Sequence, residues 1–148
     1  MNREILFKAK RKDNGEWVEG YLFDDGMPKP KRYFIGGIII KPYEGTACDK
    51  WNVVGIDFCE IDPDTLCQYT GLTDKNGKKI WENDIVVDED GCYYEVFWNK
   101  NLCNYSLRCF KTKHMFLIGK RWDLYLLANN NRLKVVGNIF DNPELLEV

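Results

Sequence analysis

Short runs of alternating apolar and polar residues, broken by Gly, Pro, Asn and Asp, fill most of the 148-residue chain. A period of two marks β-strands with one buried face. Residues 5–9 and 16–23 read as two strands joined through Lys12-Asp13-Asn14-Gly15, because Asn and Gly enter the positive-φ conformations that tight hairpins require. Gly26, Pro28 and Pro30 make residues 24–31 a loop. Residues 32–40 predict a strand weakened or bulged at Gly36-Gly37. A loop over 41–50 and a short strand within 51–61 follow.

The second half continues in the same style. Asp62-Pro63-Asp64 opens a helical turn, and residues 65–69 form a strand. Asp74-Lys75-Asn76-Gly77 is a hairpin turn, after which Ile80, Ile85 and Val87 suit the next strand, with Trp81 and Val86 facing its other side. Asp88-Glu89-Asp90-Gly91 turns the chain again, and residues 92–98, 105–110 and 114–118 continue the meander. Over residues 120–128 the period changes: Trp122, Tyr125 and Leu126 recur at helical spacing, Leu124 and Leu127 widen the face, and Asn129-Asn130-Asn131 ends it. Residues 132–140 are a last strand, and Asn142-Pro143-Glu144 starts a helical turn with an Asn cap. The fold class is mainly β, of sandwich or barrel type, with one short helix near residues 120–128. It reads as a single domain over 1–148, or as an N-terminal β subdomain over 1–62 and a C-terminal β-barrel subdomain over 63–148.

Composition bounds the setting. No apolar run approaches the ~18–20 residues of a membrane span, and the first twelve residues scatter charge where a signal peptide needs an apolar core. A soluble, cytoplasmic protein without a membrane partner is expected. Six cysteines (Cys48, Cys59, Cys67, Cys92, Cys103 and Cys109) contain no CxxC pair. Free thiols are the better reading than three disulfides or a zinc site, although Cys103, Cys109 and His114 are conceivable ligands.

Charge is uneven. Residues 51–95 carry 3 basic and 11 acidic side chains, net −8, whereas residues 96–136 carry 8 basic and 1 acidic, net +7. In the second stretch Lys100, Arg108, Lys111, Lys113, Lys120 and Arg121 interleave with aromatics, the combination that takes single-stranded nucleic acid. Two other readings stand beside it: a solvated basic face, and pairing of the acidic and basic stretches within a sheet or between subunits.

Catalytic sets are sparse. Glu82 and Asp84 sit two apart at a strand entry and so share a face; such a pair serves acid–base or metal chemistry, or pins a turn by accepting backbone N–H groups. Ser106 and His114 lack an orienting carboxylate, and neither a phosphate-cradling loop nor a dinucleotide fingerprint occurs. No cofactor is expected.

Three blocks stand out: Phe7-Lys8-Ala9-Lys10 to Trp17-Val18-Glu19-Gly20-Tyr21-Leu22; Asp64-Thr65 through Gln68-Tyr69-Thr70-Gly71-Leu72, Asp74, Asn76-Gly77 and Ile80-Trp81-Glu82-Asn83-Asp84-Ile85-Val86; and Val135-Val136-Gly137-Asn138-Ile139-Phe140-Asp141-Asn142-Pro143-Glu144-Leu145-Leu146. Together they resemble the YopX protein family. Asn83 stands where family members usually carry Gly, and Cys67 where a small residue is usual. The resemblance implies SH3-type small barrel units and a phage or prophage origin, and it assigns no catalytic residue. Gln68, Gly71, Asp74, Asn76, Gly77, Glu82 and Asp84 are read as structural. The leading functional reading is a non-enzymatic, self-associating phage accessory protein. The alternatives are a nucleic-acid-binding protein using residues 96–136 and a metal-dependent enzyme using Glu82 and Asp84.

Overall fold

The Asn14-Gly15 hairpin forms, with Gly15 in the left-handed region at φ 72°. Strand β1 (Phe7–Lys10) pairs antiparallel with β2 (Trp17–Asp24), placing Ala9 opposite Val18. Strands β3 (Tyr33–Pro42) and β4 (Trp51–Glu60) extend the ladder in the order β4-β3-β2-β1. The structure, a computed structural model, describes residues 4–42 and 51–147. Cys48 and most of the loop expected over 41–50 lie outside them.

These residues divide into two compact units, one spanning Ile5–Leu66 and the other taking Cys67 onward together with Glu4. The first has a small core. Ala9, Ile35 and Ile61 are fully buried, with Phe7, Val18, Leu22, Tyr33 and Leu66 packed against them. The bulge expected at Gly36-Gly37 is not there: both glycines pair in register, with Phe58 and Asp57, and the irregularity falls instead between Ile39 and Ile40, opposite Val54. Glycine serves close approach at this point. A Cβ on Gly36 would run into the Asp57 carbonyl, and one on Gly20 would stand 2.8 Å from the Gly36 oxygen.

The second unit starts with β5 (Cys67–Thr73) and β6 (Lys79–Trp81), joined through the turn at Gly77, φ 79°. Five more strands, β7 (Asp84–Val87), β8 (Tyr93–Asn99), β9 (Asn104–Lys111), β10 (Arg121–Asp123) and β11 (Lys134–Asn138), form an antiparallel ladder in the order β10-β9-β8-β7-β11. One expected strand is therefore two. Glu82-Asn83 is a turn with Asn83 at φ 67°, so β6 pairs with β5 while β7 pairs with β8 and β11.

The helix also differs from expectation. Residues 121–123 pair with β9, and α1 (Leu124–Asn129) begins only after Asp123, whose carboxylate accepts the Tyr125 N–H at 2.8 Å. This cap sets the helical phase. Leu124 and Ala128 face inward, while Tyr125 and Leu126 are exposed. Residues 114–118 make no strand; Met115–Leu117 is a 3-10 turn. Pro143–Leu146 is the expected helical turn, but Asn142 accepts the Asn138 N–H instead of capping it.

Val86, Tyr94, Val96, Leu107, Leu124 and Leu133 form the centre of this unit's core. The architecture is mainly β with one short helix, and no closed barrel forms among the described residues. No helix of the described residues is long and apolar enough to cross a membrane.

Candidate functional site

The residues singled out in the Gln68–Asp84 stretch are mostly absorbed by the backbone. Asp74 is buried; one carboxylate oxygen accepts Asn76 N–H at 2.8 Å and Lys78 N–H at 2.9 Å, and the other accepts Val135 N–H at 2.9 Å. Burial by itself raises a carboxylate pKa. Here the N–H groups of Val135, Lys78 and Asn76 outweigh it and hold Asp74 below the ordinary value. Asn76 and Gly77 form the turn that Asp74 closes. Gly71, at φ 84°, lies in a bulge between the Tyr69 and Thr73 pairings of β5 with β6.

Glu82 and Asp84 do not share a strand face, because the Asn83 turn separates them. Asp84 is buried and accepts the Trp81 N–H at 2.9 Å. The Gln68 carbonyl accepts the Glu82 N–H at 3.0 Å. The Glu82 carboxyl lies above its ordinary pKa because burial disfavours the charge, with the Gln68 N–H working against the shift. No group of three His, Cys, Asp or Glu side chains able to hold a metal occurs among the described residues. Cys59, Cys67, Cys92, Cys103 and Cys109 are free thiols. Burial, and then Cys92 nearby, pushes the Cys109 thiol up, away from the reactive thiolate form.

The basic stretch is more open. Tyr93, Glu95 and Phe97 alternate along β8 with buried Tyr94 and Val96, so they share the face turned from the core. Arg108 on β9 stands beside Glu95 on one side and Arg121 of β10 on the other. Both guanidiniums lie over the Phe97 ring, at 5.8 Å for Arg108 and 5.6 Å for Arg121. The Lys111 ammonium lies 5.6 Å over Tyr93, whose ring is 6.3 Å from that of Phe110. Lys100, Lys113 and Lys120 are exposed in the connections flanking β9. Internal pairing across the charge divide joins Arg108 to Glu95 and Arg132 to Asp90.

A second feature had no counterpart in the sequence reading. The pairing of β2 with β3 stops at Gly36, whereas β3 and β4 stay paired out to Pro42 and Trp51. Past Gly37 and Asp57 the ladder is thus, among the described residues, a two-stranded ribbon. Ile38 (57% exposed), Ile39, Ile40, Val54 and Ile56 (59% exposed) stand in solvent along it. The sequence shows that Ile38, Ile39 and Ile40 are apolar but not that they lack a neighbour.

The profile of the YopX protein family matches residues 6–147. The chain belongs to the YopX protein family. No curated protein sequence matches it. Among solved structures it is similar to the crystal structure of protein EF1440 from Enterococcus faecalis, with TM-score 0.56 and 20% identity over 98% of this chain and 99% of that one. At that identity the likeness concerns the fold.

Proposed function

We propose that this YopX-family chain is a non-enzymatic, phage-encoded accessory protein of small-barrel ancestry that self-associates through the β3–β4 ribbon. One observation carries the reading: five large aliphatic side chains are exposed on a two-stranded extension. A two-stranded ribbon is marginal in water and needs a third strand or a packed face, and contiguous exposed apolar surface marks interaction sites. A second copy suits it. Its described exposed side chains are almost all aliphatic, with Lys41 and Asp57 supplying one charge of each sign, and a self-complementary patch is what a two-fold contact requires. β4 also ends its ladder, leaving an edge for strand addition.

Sedimentation velocity over a concentration and salt series tests this. Wild type should form a defined oligomer that persists at high salt, and Ile38→Lys with Ile56→Lys should shift it toward monomer with an unchanged far-ultraviolet spectrum. A wild-type monomer at every concentration rules the reading out.

A further inference from the structure

Each of the two units pairs some of its cations and leaves others to solvent. In the first, Arg11, Lys12, Lys31 and Arg32 hold Asp13, Glu60, Asp24 and Asp25 respectively. In the second, Lys100, Lys111, Lys113, Lys120 and Arg121 have no carboxylate partner among the described residues, and Arg108 shares Glu95. Residues 96–136 therefore carry a run of cations with little carboxylate pairing, although the chain as a whole is net −2. Such a stretch attracts an anionic partner whatever the total charge.

The sheet face narrows the partner. The three rings Tyr93, Phe97 and Phe110 adjoin these cations, and Phe97 holds Arg108 and Arg121 over itself. A ring so placed pre-orients two guanidiniums, leaving their N–H edges for phosphate oxygens while their outward flat faces accept bases. An acidic peptide would use the charges but not the rings. Paired bases are shielded from stacking, so the rings select unpaired ones.

We propose that the outer face of β8, β9 and β10, centred on Phe97, Arg108 and Arg121, binds single-stranded nucleic acid. Arg121 and Lys111 contact phosphate, Arg108 exchanges its Glu95 pairing for phosphate, and the outer guanidinium faces over Phe97, with the Phe110 ring, offer stacking surface. The site sits on the second unit and does not depend on the β3–β4 ribbon.

Fluorescence anisotropy with a labelled mixed-sequence single strand of about 20 nucleotides, the matching duplex, and heparin as competitor tests the proposal. The wild-type protein should bind the single strand at ~50 mM salt with an affinity that falls as salt rises, by a log–log slope of about −0.7 for each phosphate neutralised. Arg121→Gln, at an exposed position, should weaken binding several-fold and make the slope shallower by about that amount. Phe97→Leu keeps the apolar bulk and should weaken single-strand binding at least several-fold while leaving the slope unchanged. The same oligonucleotide affinity in Ile38→Lys/Ile56→Lys separates this site from self-association. No binding at ~100 µM protein and ~50 mM salt overturns the proposal. Equal affinity for duplex, or loss of heparin binding in parallel with the single strand in Phe97→Leu, overturns it in favour of a general polyanion surface.

Discussion

Asp74 and Val135 are joined across 61 positions of the chain by one hydrogen bond, the Val135 N–H donating to the Asp74 carboxylate at 2.9 Å. The other oxygen of the same carboxylate closes the Asn76-Gly77 turn. One buried side chain thus fixes a local hairpin and its attachment to the last strand. Removing it leaves the buried Val135 N–H without its acceptor, which costs about 1–3 kcal/mol, and leaves the Asn76 and Lys78 N–H groups of the exposed turn to water. Asp74→Ala should lower stability by about 2–4 kcal/mol in urea unfolding. A loss under ~1 kcal/mol would show that the turn holds itself.

The two perturbed carboxyls of this region give opposite pH dependences. Asp74 has a folded pKa below its unfolded one, so its contribution is complete above the unfolded value, near pH 4, and is lost as pH falls through the folded value. Glu82 has a folded pKa above its unfolded one, so the folded state binds the proton more tightly and stability falls as pH rises through that window. Glu82→Gln should therefore be more stable than wild type at pH 7 and level with it near pH 4, measured as melting temperature against pH. If Glu82→Gln is less stable at neutral pH, the carboxylate has a favourable partner. A melting temperature raised by magnesium, manganese or calcium would identify that partner as a metal and revive an enzymatic reading of Glu82 and Asp84.

Much of this was legible, and the failures share a cause. Gly15 and Gly77 were readable because positive φ is a local demand that only a few residues meet cheaply. Asn83 was readable in the same way, as the residue standing where relatives carry Gly. The split between β6 and β7 was not, because Ile80-Trp81 and Ile85-Val86 keep an apolar pattern on both sides of the turn, and both pairs are buried. The helical phase was recoverable: Asp123 before an apolar run is an N-cap signature, and it outranks the spacing of Trp122, Tyr125 and Leu126. The ribbon was out of reach, since exposure of Ile38 and Ile56 depends on where β2 stops.

The Asp123 cap separates charge from geometry. Its second oxygen accepts Asn104 Nδ2 at 2.7 Å, so the side chain ties α1 to β9 as well as starting the helix. Asn caps about as well as Asp, while Ala costs about 1 kcal/mol at such a position. Asp123→Ala should lose ~1–2 kcal/mol in urea unfolding, and Asp123→Asn under ~0.5 kcal/mol. Equal losses in both would mean that the charge, not the acceptor, holds the helix.

The close pairing of β3 with β2 on one side and β4 on the other predicts a steric failure. A methyl group on Gly36 meets the Asp57 carbonyl and one on Gly20 meets the Gly36 carbonyl, and both obstacles are backbone in a paired strand, where nothing flexible can swing aside. Overpacking of this kind costs about 1–3 kcal/mol when side chains can yield, so Gly36→Ala should cost at least ~3 kcal/mol. Gly37, whose nearest neighbour on the same test is the Tyr21 ring at 3.9 Å, should accept Ala with little loss. Chemical denaturation of the two variants distinguishes them. Because the ribbon starts where the β2–β3 pairing ends at Gly36, Gly36→Ala should also weaken self-association, whereas Gly37→Ala should leave it intact. An oligomer unaffected by Gly36→Ala would place the contact somewhere other than the β3–β4 ribbon.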